Sequence, residues 1–376
     1  MMCPRQRLGF APHPNHPSPG DIRMRAITVK PGQAGSVRLD ERPELEVPEG
    51  WALIEAVALG VCGTDIEIID GQYGWAPDGQ ERLILGHESL GRVARAPQGS
   101  DLKEGDLVVG IVRRPDPVPC SACAGGEWDM CRNGLYTEHG IKQIHGYGAE
   151  RYPLEPEFTV KVDPELGLLA VLLEPTSVVA KAWDHTMRIG QRSRTWSPKS
   201  VLVTGAGPVG LLAAMIGRQK GLEVHVLDRV TSGPKPQLVA DIGATYHSEG
   251  PSLIGELKPD IILECTGADA LVMASMVAAG NDAVVCLAGV SSGGRKVDFD
   301  VGGFNRQAVL GNDAVFGSVN ANRSHYEAAA EALAKADKGW LERLISRRVP
   351  LDRWREAFTR QPEDVKVVID FGGKTA

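Results

Sequence analysis

The sequence predicts an α/β fold of two units, a β-rich one and one built on a doubly wound parallel sheet. Three observations carry this. The chain has 376 residues, too many for one ordinary core at about 150 residues per domain. Its first half breaks short apolar runs with Gly and Pro. Its second half alternates apolar strands with helical stretches, the pattern of a parallel sheet covered on both faces.

The elements follow in order. Residues 1–23 are rich in Pro and lack both apolar periodicity and the apolar core of a secretion signal. They are expected to form a disordered extension, or to lie upstream of a start at Met24. His13 and His16 within them are expected to face solvent. From Met24, "MRAITV" reads as a strand, as do "WALIEAVALG" and "DLVVGIV", with Gly-Asp in "LKEGDLVV" as a turn. Residues 113–150 are rich in Pro, Cys and Gly and read as a loop-dominated lobe. A longer helical pattern starts near "LGLLAVLLEPTSVVAKAWDH". From residue 199 the alternation begins: "SVLVTGAG" strand, "PVGLLAAMIGRQKG" helix, "LEVHVLD" strand, "KPQLVADIG" helix, "DIILECTG" strand, "LVMASMVAAG" helix, "AVVCLAG" strand. "HYEAAAEALAKA" is helical, and "VKVVIDFG" closes the chain as a strand.

Composition excludes several classes. Hydrophobic residues make up 43% and charged residues 24%, with a net charge of −7, ordinary for a soluble globular protein. An acidic balance argues against nucleic acid as a partner, because phosphate binding needs concentrated Lys and Arg. No apolar run reaches the ~18 residues of a membrane span. Seven cysteines, an odd number, without an export signal point to the cytoplasm and to free or metal-binding thiols.

"VLVTGAGPVGLLAA" carries Gly205, Gly207 and Gly210 between a strand and a helix, and Asp228 ends the next strand. Gly205 permits a tight turn, Gly207 lets the backbone approach a pyrophosphate, and Gly210 lets helix and strand pack closely. The helix N-terminus then offers N–H groups to the phosphates. This is a Rossmann dinucleotide site.

"GVCGTD" contributes Cys62, "GHES" His87 and Glu88, and "LLEPTSVV" Glu174. Thiolate, imidazole and carboxylate are zinc ligand types, and three protein ligands with an open position make a catalytic site. Taken singly each has a plain structural role: Cys62 as a small core residue, His87 and Glu88 as a turn, Glu174 as a helix-start acid.

With those motifs in that order, the chain resembles the zinc-dependent medium-chain alcohol dehydrogenases over residues 24–376. The resemblance implies a GroES-like catalytic domain at 24–188, the Rossmann domain at 189–320, and a return to the catalytic domain at 321–376. "RRPDPVPCSACAGGEWDMC", "YTEHGI", "LLEPTSVVAKAW", "GPKPQLVADIGATYH" and "VFGSVNANRSHYEAA" are similar to the archaeal-type glucose 1-dehydrogenase branch. That branch implies oxidation of D-glucose and related aldoses at C1 to the lactone, with hydride transfer to NAD or NADP. It places Cys62, His87, Glu88 and Glu174 at a zinc ion, one carboxylate directly and the other through water or transiently. Thr64 and Glu174 take catalytic roles, and Thr64, Glu138, Glu174 and Asn320 contact the sugar. The cofactor would meet Gly205, Gly207, Pro208, Val209, Gly210, Asp228, Arg229, Thr266, Leu287, Ala288, Gly289, Ser318 and Val319. His139 and His325 are expected to be structural, and His145 to shape the cleft. A homo-oligomer, dimer or tetramer, is implied.

The chain departs from the family at the cysteine lobe. The family spacing C-x2-C-x2-C-x7-C is met by Cys120, Cys123 and Cys131, but its first position falls on Pro117, which cannot coordinate. Either Asp116 substitutes and the lobe holds a second, structural zinc, or three reduced thiols stand in a metal-free loop. For the cofactor, Asp228 facing the ribose predicts NAD over NADP, with some NADP use through Arg229. The alternatives are a zinc-dependent polyol or threonine dehydrogenase and, more remotely, a non-catalytic dinucleotide-binding protein. The second predicts loss of the metal ligands, and all four are present.

Overall fold

The computed structural model describes residues 23–291 and 296–372. The expected N-terminal extension lies outside the described residues except for Arg23, which already pairs in the first strand, Arg23–Val29.

A seven-stranded sheet organises the β-rich half, with Ala52–Gly60 at its centre. Glu88–Arg95 runs antiparallel along one side, with Gly60 opposite Glu88. Lys366–Asp370 runs antiparallel along the other, with Val368 opposite Gly60. The end of the chain therefore supplies a strand beside the middle of its first half. This register gathers Cys62, His87 and Lys366 at one end of the sheet. The lobe at 113–150 has more structure than expected: a helical turn at Ser121–Ala124 and a small sheet of Arg113–Arg114, Thr137–His139 and Gln143–Ile144.

The second half forms a six-stranded, all-parallel sheet. Its spatial order is Thr245–His247, Glu223–Leu227, Ser200–Thr204, Ile261–Glu264, Val284–Leu287, Ala314–Gly317. This is the doubly wound order with a switch point beside the first strand, where ligands bind at the carboxyl ends. Val201, Leu202 and Val203 are fully buried, as strands covered on both faces require. In this half the sequence reading missed the short Thr245–His247 edge strand, the helix Leu253–Leu257, and the last pair, helix Val301–Gly311 and strand Ala314–Gly317. The last helix lacks a buried apolar stripe, and Val301, Val309 and Leu310 are exposed.

Between the sheets lies the helix Leu173–Gly190, preceded by a 3-10 stretch, Pro164–Leu172. Gly167, at φ 50 and ψ −127, kinks that stretch within itself. Pro175 is tolerated because it sits in the first helical turn. Trp183, Val179 and Ala182 join the largest core cluster, which also takes in Val109 and Phe158 from the β-rich half and Val203 and Leu211 from the parallel-sheet half. Residues 164–190 are long and apolar enough to cross a membrane, but 83% of the apolar window is buried inside the protein. It is a core element.

Candidate active site

Cys62 follows the Ala52–Gly60 strand and caps the short helix Gly63–Ile69. Asp65, in that helix's first turn, accepts the Cys62 N–H at 2.9 Å, which fixes the direction of the turn. Gly60 has to be glycine: a Cβ there would fall 2.0 Å from Glu88 Oε2. The missing side chain lets the Glu88 carboxylate lie against the strand that carries Cys62.

Cys62, His87 and Glu88 offer ligand atoms all within 4.8 Å of one another. Behind them stand two residues the sequence reading missed. The first is Asp65, whose Oδ1 lies 3.4 Å from His87 Nδ1. A proton held on Nδ1 toward this carboxylate leaves Nε2 with its lone pair. Burial disfavours the His87 cation, yet Asp65 and Cys62 together raise its pKa well above the ordinary value. The second is Lys366, whose Nζ lies 2.6 Å from both Glu88 oxygens and 3.1 Å from the Val61 carbonyl. Both side chains of this pair are 2% exposed. The signals were faint: an acid three residues after Cys62, and one Lys opening an apolar strand.

Glu174 begins the central helix and is buried. Burial above all, then the Glu88 charge, pushes its pKa up to about 7 against the opposing pull of His87. It stands outside the 4.8 Å group and makes no ion pair among the described residues. Thr64 Oγ1 lies 4.0 Å from Cys62 Sγ. The donor set of thiol, imidazole and carboxylate fits a zinc ion.

Glu138 and Asn320 come together from segments far apart in sequence, with Asn320 Nδ2 donating to Glu138 Oε1 at 2.8 Å. Arg113 donates to the same oxygen at 2.9 and 3.1 Å. Asn320 adopts φ 61. Its loop is held from behind by Lys181, which reaches the Val319 carbonyl at 2.9 Å and Asp129 at 2.8 Å. His325 caps the following helix. His139 and His145 line a separate cavity with Trp51 and Tyr152; neither joins the ligand group.

The dinucleotide residues line the carboxyl edge of the parallel sheet. Gly205 takes φ +89, a Cβ on Gly210 would fall 1.8 Å from the Gly205 carbonyl, and the space around Gly207 is open. That cradle fits a pyrophosphate. Gly205, Gly207, Asp228, Arg229 and Thr266 share a cavity of about 810 Å³. Leu287, Ala288 and Gly289 end the adjoining strand, where Ala288 and Gly289 donate to the Glu264 carbonyl. Ser318 follows the last strand with its buried hydroxyl unpartnered. Pro208 and Val209 open the Pro208–Gln219 helix, and Val319 is exposed.

In the lobe, the Cys120, Cys123 and Cys131 sulfurs also lie within 4.8 Å of one another. Asp116 does not join them. Its oxygens accept from Val118 N at 2.9 Å and Asn133 Nδ2 at 2.7 Å.

Comparison with known proteins agrees with this geometry. Residues 48–164 match the alcohol dehydrogenase GroES-like domain, and residues 167–371 match the glucose dehydrogenase C-terminus. The chain is 39% identical to a glucose 1-dehydrogenase of Methanocella arvoryzae, across 93% of this chain and 100% of the relative. It is 41% identical to one from Thermoproteus tenax, across 92% and 99%. The structure of Haloferax mediterranei glucose dehydrogenase, in complex with NADP, Zn and gluconolactone, superposes with a TM-score of 0.87 at 33% identity, covering 93% of this chain and 100% of that one. The chain belongs to the glucose 1-dehydrogenases of the medium-chain alcohol dehydrogenase family.

Proposed function

We propose that the chain oxidises D-glucose at C1 to the lactone, passing hydride to a nicotinamide cofactor at a zinc-dependent site. The observation that carries this is the buried group of Cys62, His87 and Glu88 at the end of one sheet, in a chain whose relatives are glucose 1-dehydrogenases. Cys62, His87, Glu88 and Glu174 are the residues that would hold the zinc. Glu88 is already neutralised by Lys366, so we assign direct contact to Glu174 and contact through water to Glu88. Zinc bound there would supply Lewis acidity to the C1 hydroxyl, and a bound nicotinamide would supply the hydride acceptor.

The protein's own groups do the remaining work. Asp65 holds His87 in one orientation, and Lys366 keeps the Glu88 charge compensated. Thr64 Oγ1 receives the C1-hydroxyl proton and passes it toward solvent. Glu138 and Asn320, braced by Arg113 and Lys181, contact the other sugar hydroxyls and set C1 against the nicotinamide. Gly205, Gly207 and Gly210 seat the pyrophosphate.

We place the catalytic unit at 24–188 and 321–376 and the cofactor unit at 189–320. We also assign a homo-oligomer, supported by the exposed Val301, Val309 and Leu310 beside the edge strand Ala314–Gly317. The cytoplasm is the compartment that suits its free cysteines. The test is a panel of steady-state rates with glucose, galactose, xylose, sorbitol and threonine, each with NAD and NADP. Glucose should give the highest kcat/KM. A higher value for sorbitol or threonine overturns the assignment.

A further inference from the structure

We propose that His225 and His247 form a second metal site, on the parallel sheet, in which two facing imidazoles backed by Glu223 and Glu249 take one zinc-class divalent ion and clip the edge strand Thr245–His247 to its neighbour. None of these residues belongs to the active site described above, and the inference does not rest on the glucose reading.

The strand pairing brings the rings together. Glu223–Leu227 and Thr245–His247 run parallel, with His225 opposite Thr245 and Leu227 opposite His247. Side chains two residues apart share one face of a strand, so His225 and His247 meet on a diagonal across one side of the sheet. His225 Nδ1 lies 3.0 Å from His247 Nε2. Both side chains are largely withdrawn from water, at 12% and 13% exposed.

The outer ring nitrogens face carboxylates. Glu223 Oε1 lies 3.4 Å from His225 Nε2, and Glu249 Oε2 lies 3.7 Å from His247 Nδ1. The row therefore reads carboxylate, imidazole, imidazole, carboxylate. A ring nitrogen beside a carboxylate keeps its proton on that side, and a neutral imidazole has only one N–H. The two inner nitrogens then present lone pairs to each other. Two lone pairs at this distance repel, and a cation between them turns the repulsion into two donor bonds. Burial above all, then the neighbouring His247, lowers the His225 pKa, so a proton fills the gap poorly at neutral pH. The arrangement is the one a metal-ligating His adopts, with its second N–H turned to a carboxylate. Imidazole suits zinc, copper and nickel, whereas magnesium and calcium want oxygen. Tetrahedral zinc at about 2.0–2.1 Å from each ring would hold the two nitrogens about 3.3 Å apart, close to where they already stand. Water would complete the coordination.

The position gives the ion its role. Thr245–His247 has three residues, and Glu223–Leu227 is its only partner among the described strands. An ion held by both strands binds the paired form and not the unfolded chain, so it stabilises the pairing.

The test is isothermal titration calorimetry of the full chain, with its catalytic zinc in place, against added zinc chloride. One further ion per chain should bind with a micromolar dissociation constant. His225→Gln and His247→Gln should each weaken that event by at least about 10-fold, since each removes one of two protein ligands. Ions held elsewhere, as in the cysteine lobe, persist in these variants, so the difference isolates the pair. Added zinc should raise the Tm of the parent and not of either variant. The double variant Glu223→Gln/Glu249→Gln changes only exposed carboxylates, so it keeps the test sound if a His variant fails to fold. It should weaken the event by about 10-fold, the usual cost of losing the acid behind a ligating His. Binding that appears only at millimolar zinc overturns the site. An event unchanged in either His variant, or in the double Glu variant, overturns it as well.

Discussion

Two of the groups of zinc-type ligands among the described residues, one at the sheet end and one in the cysteine lobe, differ in what stands behind them. Cys62, His87 and Glu88 are backed by Asp65 and Lys366, each buried and each aimed at a ligand. Cys120, Cys123 and Cys131 have no such backing. The Cys120 sulfur accepts backbone N–H groups, that of Arg132 at 3.3 Å, and the nearby acid Asp116 is bonded elsewhere. The family's first cysteine position falls on Pro117. A catalytic metal site needs ligands whose orientation and charge are fixed before the ion arrives. A structural site needs a closed set of four. The first group meets its requirement and the second falls one ligand short.

The largest effect should come from removing a ligand in the backed group. Cys62→Ser or His87→Ala should lower kcat/KM for glucose by at least about 10²-fold, since Lewis-acid stabilisation supplies several kcal/mol. Cys131→Ser, measured in the same assay, should leave activity nearly unchanged. Equal losses at both places would erase the contrast between the two groups.

Next comes the ion pair behind Glu88. Lys366→Met leaves a buried carboxylate without its partner, which costs about 3–5 kcal/mol. Urea denaturation should show that loss, and the double variant Lys366→Met/Glu88→Gln should recover most of it. A single variant as stable as the parent would mean that the pair does not hold the site. Asp65→Asn is a milder perturbation. It should weaken zinc binding by about 10–100-fold in a chelator competition, the usual cost of losing an outer carboxylate on a ligating His. Unchanged affinity would remove Asp65 from the site.

The smallest effect belongs to the lobe and is a matter of reactivity. The Arg132 N–H, followed by other backbone N–H groups, pulls the Cys120 pKa down to about 6, whereas burial pushes Cys123 up to about 11. The thiolate is the reactive form. Iodoacetamide should therefore label Cys120 with a rate that rises through pH 6 and levels off by pH 8, while Cys123 stays slow throughout. Protection of Cys120 at pH 8 that is lost on chelation would show a metal in the lobe.

The legible part of this molecule was whatever is local in sequence. Four of the six parallel strands announced themselves as apolar runs, and the glycines at 205, 207 and 210 carry their geometric reasons in their spacing. Cys62, His87 and Glu174 were readable because their residue types are rare in such settings. Lys366 was not, because its role exists only through a strand pairing that joins the chain's end to its first half. Arg113 was hidden for the same reason, since its partner Glu138 meets Asn320 only in three dimensions. The helix Val301–Gly311 was missed because its apolar side chains face outward, so no buried stripe marks it. Asp228 was found, but its protein partners Ala206, Val230 and Lys235 were not.

The most direct test of the central claim is deuterium transfer from C1-deuterated glucose to the nicotinamide, followed by mass spectrometry while zinc is titrated into metal-stripped chain. The label should be found on the reduced cofactor, rise in proportion to zinc up to one ion per chain, and be lost in His87→Ala. Undiminished transfer in the metal-stripped chain, or glucose oxidation without label on the nicotinamide, would contradict the account.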